Sequence, residues 1–193
     1  MREAYFIDEN FENIDFTQQS LEVGEYENCT FRNCNFEYVN LSEIKFTDCE
    51  FIECNLSMTK LVGTAFRDVM FKDCKMFGMA FNDCNEFGMS FKFEGCALNN
   101  SVFYKSTIRK TVFKNSKLIE VDFSESDISN SVISNCDLSG AIFDRTNLEK
   151  ADLRTSFNYT INPTSNKLKK TKFSLSEIHG LLRQLDIEID KNS

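Results

Sequence analysis

Large apolar residues recur along this chain at every fifth position. Counting from Phe6, sixteen consecutive positions five apart are Phe, Leu, Tyr or Met, ending at Phe81. The count then shifts by two, and twelve further positions, from Leu98 to Leu153, are Leu, Phe or Ile without exception. Together with Met and Tyr these residue types make up only 58 of the 193 residues, so twenty-eight successive hits mark a repeat and not a composition. A period of five fits neither the 3.6 of a helix nor the 2.0 of a long strand. It suits a wall of a few extended residues followed by a corner, four walls closing one coil of about 20 residues. Positions twenty apart agree: Phe11, Phe31, Phe51 and Phe71 fall on one wall, Leu21, Leu41 and Leu61 on another, and Phe103, Phe123 and Phe143 follow later. The pattern predicts an all-β solenoid, a quadrilateral β-helix of about 8 coils spaced by about 4.8 Å, right-handed by the default for parallel crossovers.

A second column supports the frame. The residue two before each centre is small: Cys29, Cys34, Thr59, Thr64 and Cys74 in the first frame, Ser101, Ser106, Thr111, Ala141 and Ala151 in the second. All eight cysteines fall in this column. They are expected to be buried small hydrophobes, with no role in a metal site or a redox pair.

Composition sharpens the picture. No stretch reaches the roughly 18 apolar residues a membrane span needs, and the chain opens Met1-Arg2-Glu3 with charge in place of a leader. A cytoplasmic location with free thiols is the expectation. The net charge of −8 argues against direct nucleic-acid binding, which needs clustered Lys and Arg. The charge is uneven: residues 1–60 hold 13 acidic and 4 basic side chains, residues 61–193 hold 17 and 18. A partner should therefore be basic or neutral.

Cys136-Asp137-Leu138-Ser139-Gly140 followed by Ala141, and Ala151-Asp152-Leu153-Arg154-Thr155, resemble the unit of the pentapeptide-repeat family. The resemblance covers about nine-tenths of the chain and implies the right-handed quadrilateral β-helix of that family. The first coil departs from the unit, with Glu9 and Gln19 in the small column, which marks that end as irregular or capped.

The repeat region is expected to span residues 1–173, interrupted twice. Two extra residues between Phe81 and Leu98 place a bulge near 82–97, read as a tolerated insertion at a corner, or as a hinge or a partner contact through Phe87. An irregular corner falls near 157–163, after which Leu168 and Phe173 resume the second frame. Ser174 and Glu177 then form a capping-box pattern that predicts a short C-terminal helix in 174–193, its apolar stripe being Leu175, Ile178, Leu181, Leu182 and Leu185. Such a helix would cap the rod, or would also dimerise it through Leu182, Leu185, Ile187 and Ile189. The segment looks like the one that joins Qnr-type members of the family, proteins linked to quinolone resistance, end to end.

No catalytic constellation is visible. His179 is the single histidine and has no nucleophile or carboxylate at a suggestive spacing, so no catalytic, cofactor or metal residue is assigned. Function is expected on the outward positions two after each centre, with Asp48 and Asp68 assigned to one wall and Glu53 and Asp73 to the next. Like charges one coil apart repel by roughly 1 kcal/mol even in water, so the series suits a basic partner. The run Lys105, Arg109, Lys110, Lys114 and Lys117 is read as a solvated face. Similarity to the Qnr-type members implies a non-enzymatic DNA mimic that binds DNA gyrase or topoisomerase IV; a scaffold for another protein partner is the alternative.

Overall fold

The computed structural model describes residues 4–185, 187, 188 and 190. The chain winds into an all-β solenoid in which every strand pairing is parallel. Strands β1 (Ala4–Ile7), β3 (Gly24–Glu27), β5 (Lys45–Thr47) and β7 (Ala65–Arg67) form a four-stranded first wall. The second wall is a seven-stranded sheet of β2 (Asn10–Glu12), β4 (Thr30–Arg32), β6 (Glu50–Ile52), β8 (Val69–Lys72), β9 (Phe91–Glu94), β10 (Val112–Lys114) and β11 (Val132–Ser134). Isolated parallel bridges close the other two walls, through Asn35–Asn55–Lys75 on the third and Asn40–Lys60 and Ala80–Val102 on the fourth. The second wall thus carries about seven regular turns against the eight expected; past β11 the ladder continues only as bridges, Val132–Asp152 and Asp152–Lys172.

Each centre residue points inward and stacks on its counterpart one coil away. Phe11 and Phe31 lie 4.7 Å apart between ring centroids with planes 7° from parallel, and Phe31–Phe51 repeats the geometry at 4.7 Å and 9°. Rings on adjacent walls meet edge-on, as Phe46 does Phe51 at 5.2 Å and 75°. Stacked and edge-on pairs are both favourable for the aromatic quadrupole, by about 0.5–1.5 kcal/mol beyond the area buried.

The corners explain the period. The residue two after most centres adopts positive φ, for example Asp48 at 53° and Asn100 at 60°. Of the twenty-three non-glycine residues with positive φ among the described residues, twelve are Asn or Asp, the types that best tolerate the left-handed region. The Asp or Asn preceding many centres secures the corner. Its side-chain oxygen accepts the N–H two residues on, as in Asn55 to Ser57 (3.2 Å) and Asp137 to Ser139 (3.1 Å), an Asx turn wrapped around the buried centre.

The small column does more than leave room. Cys49 Sγ donates to the Tyr26 carbonyl and Cys54 Sγ to the Phe31 carbonyl, each at 3.3 Å, while Thr64 and Thr146 donate to Leu41 and Phe123 at 2.8 Å. A thiol or hydroxyl here satisfies a buried carbonyl in the neighbouring coil that Ala would leave without this donor. All eight cysteines are buried and free.

The first coil is more regular than its sequence suggested: β1 and β2 pair in register, Phe6 with Tyr26 and Phe11 with Phe31. The two-residue insertion lies within 86–89, because Asn85 keeps the usual bond to Thr64, whereas Ser90 N–H reaches Phe66 O and Val69 N–H reaches Ser90 O. Near the second irregularity, Asn158 turns outward at φ 61°, and Tyr159 and Ile161 become the buried residues.

The C-terminal helix does not form. Among the described residues there is no α-helix, and the C-terminal segment forms only a 3-10 turn at Ile178–Leu181. Ser174 Oγ lies 3.1 Å from Ser176 Oγ and caps nothing, and the Glu177 carboxylate accepts the Asn158 N–H at 3.3 Å. Gly180 instead docks flat on the last coil, its carbonyl accepting the Ile161 N–H at 3.0 Å, and Leu181 packs against the core. A short isolated helix is marginal and an interior glycine costs it about 1 kcal/mol, so this close backbone docking prevails over the helical pattern. Leu175, placed on the expected stripe, is 88% exposed.

Candidate functional site

The corner residues form straight rims along the rod. One rim of the second wall carries Asp8, Asn28, Asp48 and Asp68; the opposite rim carries Asn13, Asn33, Glu53 and Asp73. Asp48, Asp68, Glu53 and Asp73 therefore do not lie on two neighbouring walls, as their spacing suggested. They occupy the two edges of one wall, flanking β6 and β8. Sequence spacing counts a corner residue with the wall it leaves, but a left-handed corner belongs equally to the wall it enters.

All four side chains are exposed. Asp68 accepts a hydrogen bond from Ser90 Oγ at 3.0 Å. Asp73 lies over Gly95, where a Cβ would come within 2.1 Å of Asp73 Oδ1, so glycine is what allows the carboxylate to rest there. Neither Asp48 nor Glu53 holds an ion pair among the described residues. On the same rims, asparagines bridge successive coils: Asn28 Nδ2 donates to Asp8 and Asn33 Nδ2 to Asn13. A groove of about 310 Å³ follows the second rim, lined by Asn33, Asn35, Glu53, Asn55, Asp73 and Lys75.

The basic run beyond the bulge is largely neutralised within the rod. Lys105 pairs with Glu125 (3.6 Å), Arg109 with Asp127 (2.8 Å) and Lys114 with Glu94 (2.8 Å), each one coil apart. The hydrogen bond from Lys114 holds the Glu94 carboxyl below its usual range. Phe87 stands 81% exposed on the bulge with the Arg67 guanidinium 5.8 Å from its ring.

The C-terminal residues assigned to dimerisation are dispersed. Leu182 is half-buried, Leu185 and Ile187 are exposed, and Ile189 lies outside the described residues. His179 Nδ1 lies 3.3 Å from the Ser176 carbonyl. Among the described residues no three His, Cys, Asp or Glu side chains gather as metal ligands, and no helix is long and apolar enough to cross a membrane.

Comparison with known proteins places this geometry in a wider group. The pentapeptide repeat region matches residues 24–92, and pentapeptide repeats in eight copies match residues 122–156. No curated protein matches the sequence. Two trypsin-treated forms of QnrB1, described as a plasmid-mediated fluoroquinolone resistance protein, share the fold. One is 18% identical over 97% of this chain and 100% of that chain with a TM-score of 0.63; the other is 19% identical over 98% and 100% with a TM-score of 0.62. At that identity the likeness is one of fold.

Proposed function

This chain belongs to the pentapeptide-repeat family, and from that premise we propose that it is a non-catalytic, protein-binding rod whose acidic second wall occupies the basic DNA-binding surface of DNA gyrase or topoisomerase IV. The observation that carries the reading is the pairing of Asp48 and Asp68 on one rim with Glu53 and Asp73 on the other. Two parallel rows of carboxylates flanking a flat floor offer a cationic saddle the charge layout of two phosphate strands. The shared fold with a fluoroquinolone resistance protein supports the choice of partner.

The test is inhibition of gyrase supercoiling, with and without a fluoroquinolone. Wild type should inhibit or protect, and inhibition should weaken as salt rises. Asp48→Asn, Glu53→Gln, Asp68→Asn and Asp73→Asn combined should lose potency, while Lys110→Gln with Lys114→Gln should retain or gain it. Equal potency across the three proteins rejects this surface.

A scaffold for another protein is the second reading. It is favoured by the near-neutral charge of residues 61–193, which leaves only one end of the rod DNA-like. No effect of the folded wild type on gyrase at micromolar concentration would select it.

A further inference from the structure

The first rim changes sign at the bulge. Below it the left-handed corners are Asp8, Asn28, Asp48 and Asp68; above it, on the same corner, they are Lys110, Asn130, Lys150 and Lys170. The bridges Thr107–Asp127–Asn147–Lys167 continue the first wall past the bulge and fix this register. The acids have a local reason to be there, since Asp and Asn tolerate positive φ. The lysines have none: they accept φ of 60–61° without an ion pair or side-chain hydrogen bond among the described residues.

We propose that two copies of this chain pair side by side and antiparallel along this rim, the acidic half of each lying against the basic half of the other. The bulge sits midway, with Asp68 one coil to one side and Lys110 one coil to the other. A two-fold axis through it sets Asp68 opposite Lys110 of the second copy, Asp48 opposite Asn130, Asn28 opposite Lys150 and Asp8 opposite Lys170. No like charges meet along the rim. Because both rods have the same rise per coil, the match holds along the whole length. A nucleic-acid strand, with a phosphate every 3.4 Å or so of its axis, would drift out of step with lysines set by a coil spacing of about 4.8 Å. The axis also brings together the two Phe87 rings, each the most exposed aromatic of its chain, and gives them a surface to cover. The pairing does not rest on the topoisomerase reading, but it engages Asp48 and Asp68, so self-pairing and a basic partner compete for one rim.

The experiment is light scattering at micromolar protein, in about 50 mM and about 500 mM salt, where screening lengths differ several-fold. Wild type should have the mass of two subunits at low salt and of one at high salt. A first variant, Asp8→Lys with Asp68→Lys, leaves Asp48 as the only acid on the rim's corners; a second, Lys110→Asp with Lys170→Asp, makes it mostly acidic. Each alone should have the mass of one subunit, and an equimolar mixture should recover two. Should either reversal alter the circular dichroism spectrum, Lys110→Gln with Lys170→Gln should still raise the dimer dissociation constant at least tenfold. A wild-type monomer at low salt overturns the pairing, including one that shifts a DNA duplex and so assigns the lysines to a polyanion. A mass of two that survives in both variants also overturns it and assigns the dimer to the C-terminal segment. So does a mixture that stays monomeric.

Discussion

Phe91 stands 5.6 Å from Phe66 between ring centroids and 5.3 Å from Phe81, filling the place in the first wall's aromatic column that the frame shift leaves without a centre residue. Gly88 falls where the repeat would demand a large apolar side chain, and the chain overshoots until Phe91 can turn inward. The insertion is thus absorbed without a hole.

Phe91→Ala should accordingly cost about 3–5 kcal/mol, the usual loss for a fully buried ring, whereas Phe87→Ala should change stability by no more than about 0.5 kcal/mol. Urea unfolding of both variants beside wild type measures the difference. Comparable losses in the two would mean that the bulge is packed through the wrong ring.

The thiols should be inert in the folded protein. Burial pushes Cys49 up to about 12 and Cys136 up to about 11, and all eight side chains are enclosed. Labelling with a thiol reagent near neutral pH should be slow without denaturant and complete, at eight per chain, in its presence. Rapid native labelling of most of them would overturn the inward assignment of the small column.

Gly180→Ala separates the observed C-terminal docking from a helix. A helix would gain about 1 kcal/mol from the change. In the docked segment the new Cβ would lie 2.3 Å from the Tyr159 carbonyl oxygen, so the melting temperature should fall. A rise would restore the helical reading.

Acid sensitivity should come from the turn carboxylates. Donation from Thr17 holds Asp15, and donation from Arg154 holds Asp152, below the ordinary carboxylate range. A folded pKa that is depressed adds stability at pH above the unfolded value of about 3.9, and that stability is lost as pH falls through this value toward the folded pKa. Asp15→Asn with Asp152→Asn keeps the oxygen that accepts the turn N–H at each site but removes the titration, so its melting temperature should decline less than wild type between about pH 5 and pH 3. Parallel declines would exclude these two groups.

Much of this was legible in the sequence because the period is imposed by burial. A centre residue such as Phe51 can face only inward, so its spacing records the coil directly, and Cys54 and Thr64 record the narrow space beside it. The outward residues carry no such constraint, so spacing alone puts Asp48 and Glu53 on separate walls although they edge the same one. Phe91 was illegible because Phe87, Phe91 and Phe93 are alike in composition, and only the continuous pairing of β8 with β9 decides which rings turn in. At Gly180 the apolar periodicity matches a helix, but a backbone contact with the Tyr159 and Ile161 region competes for the same residues and wins.

The unbroken second wall has a consequence for how the rod unfolds. Coils touch only their neighbours, so the molecule behaves as a one-dimensional array whose cooperativity depends on each interface between adjacent units. The four-stranded sheet of the first wall ends at β7, and among the described residues that wall continues beyond the bulge only as single bridges. At this junction the two halves are joined by the four residue pairs of β8 and β9, Val69–Phe91 through Lys72–Glu94, and by the single bridges Lys75–Ala97 and Ala80–Val102 on the other walls. Weakening that seam should divide one melting transition into two, with the N-terminal and C-terminal halves unravelling independently.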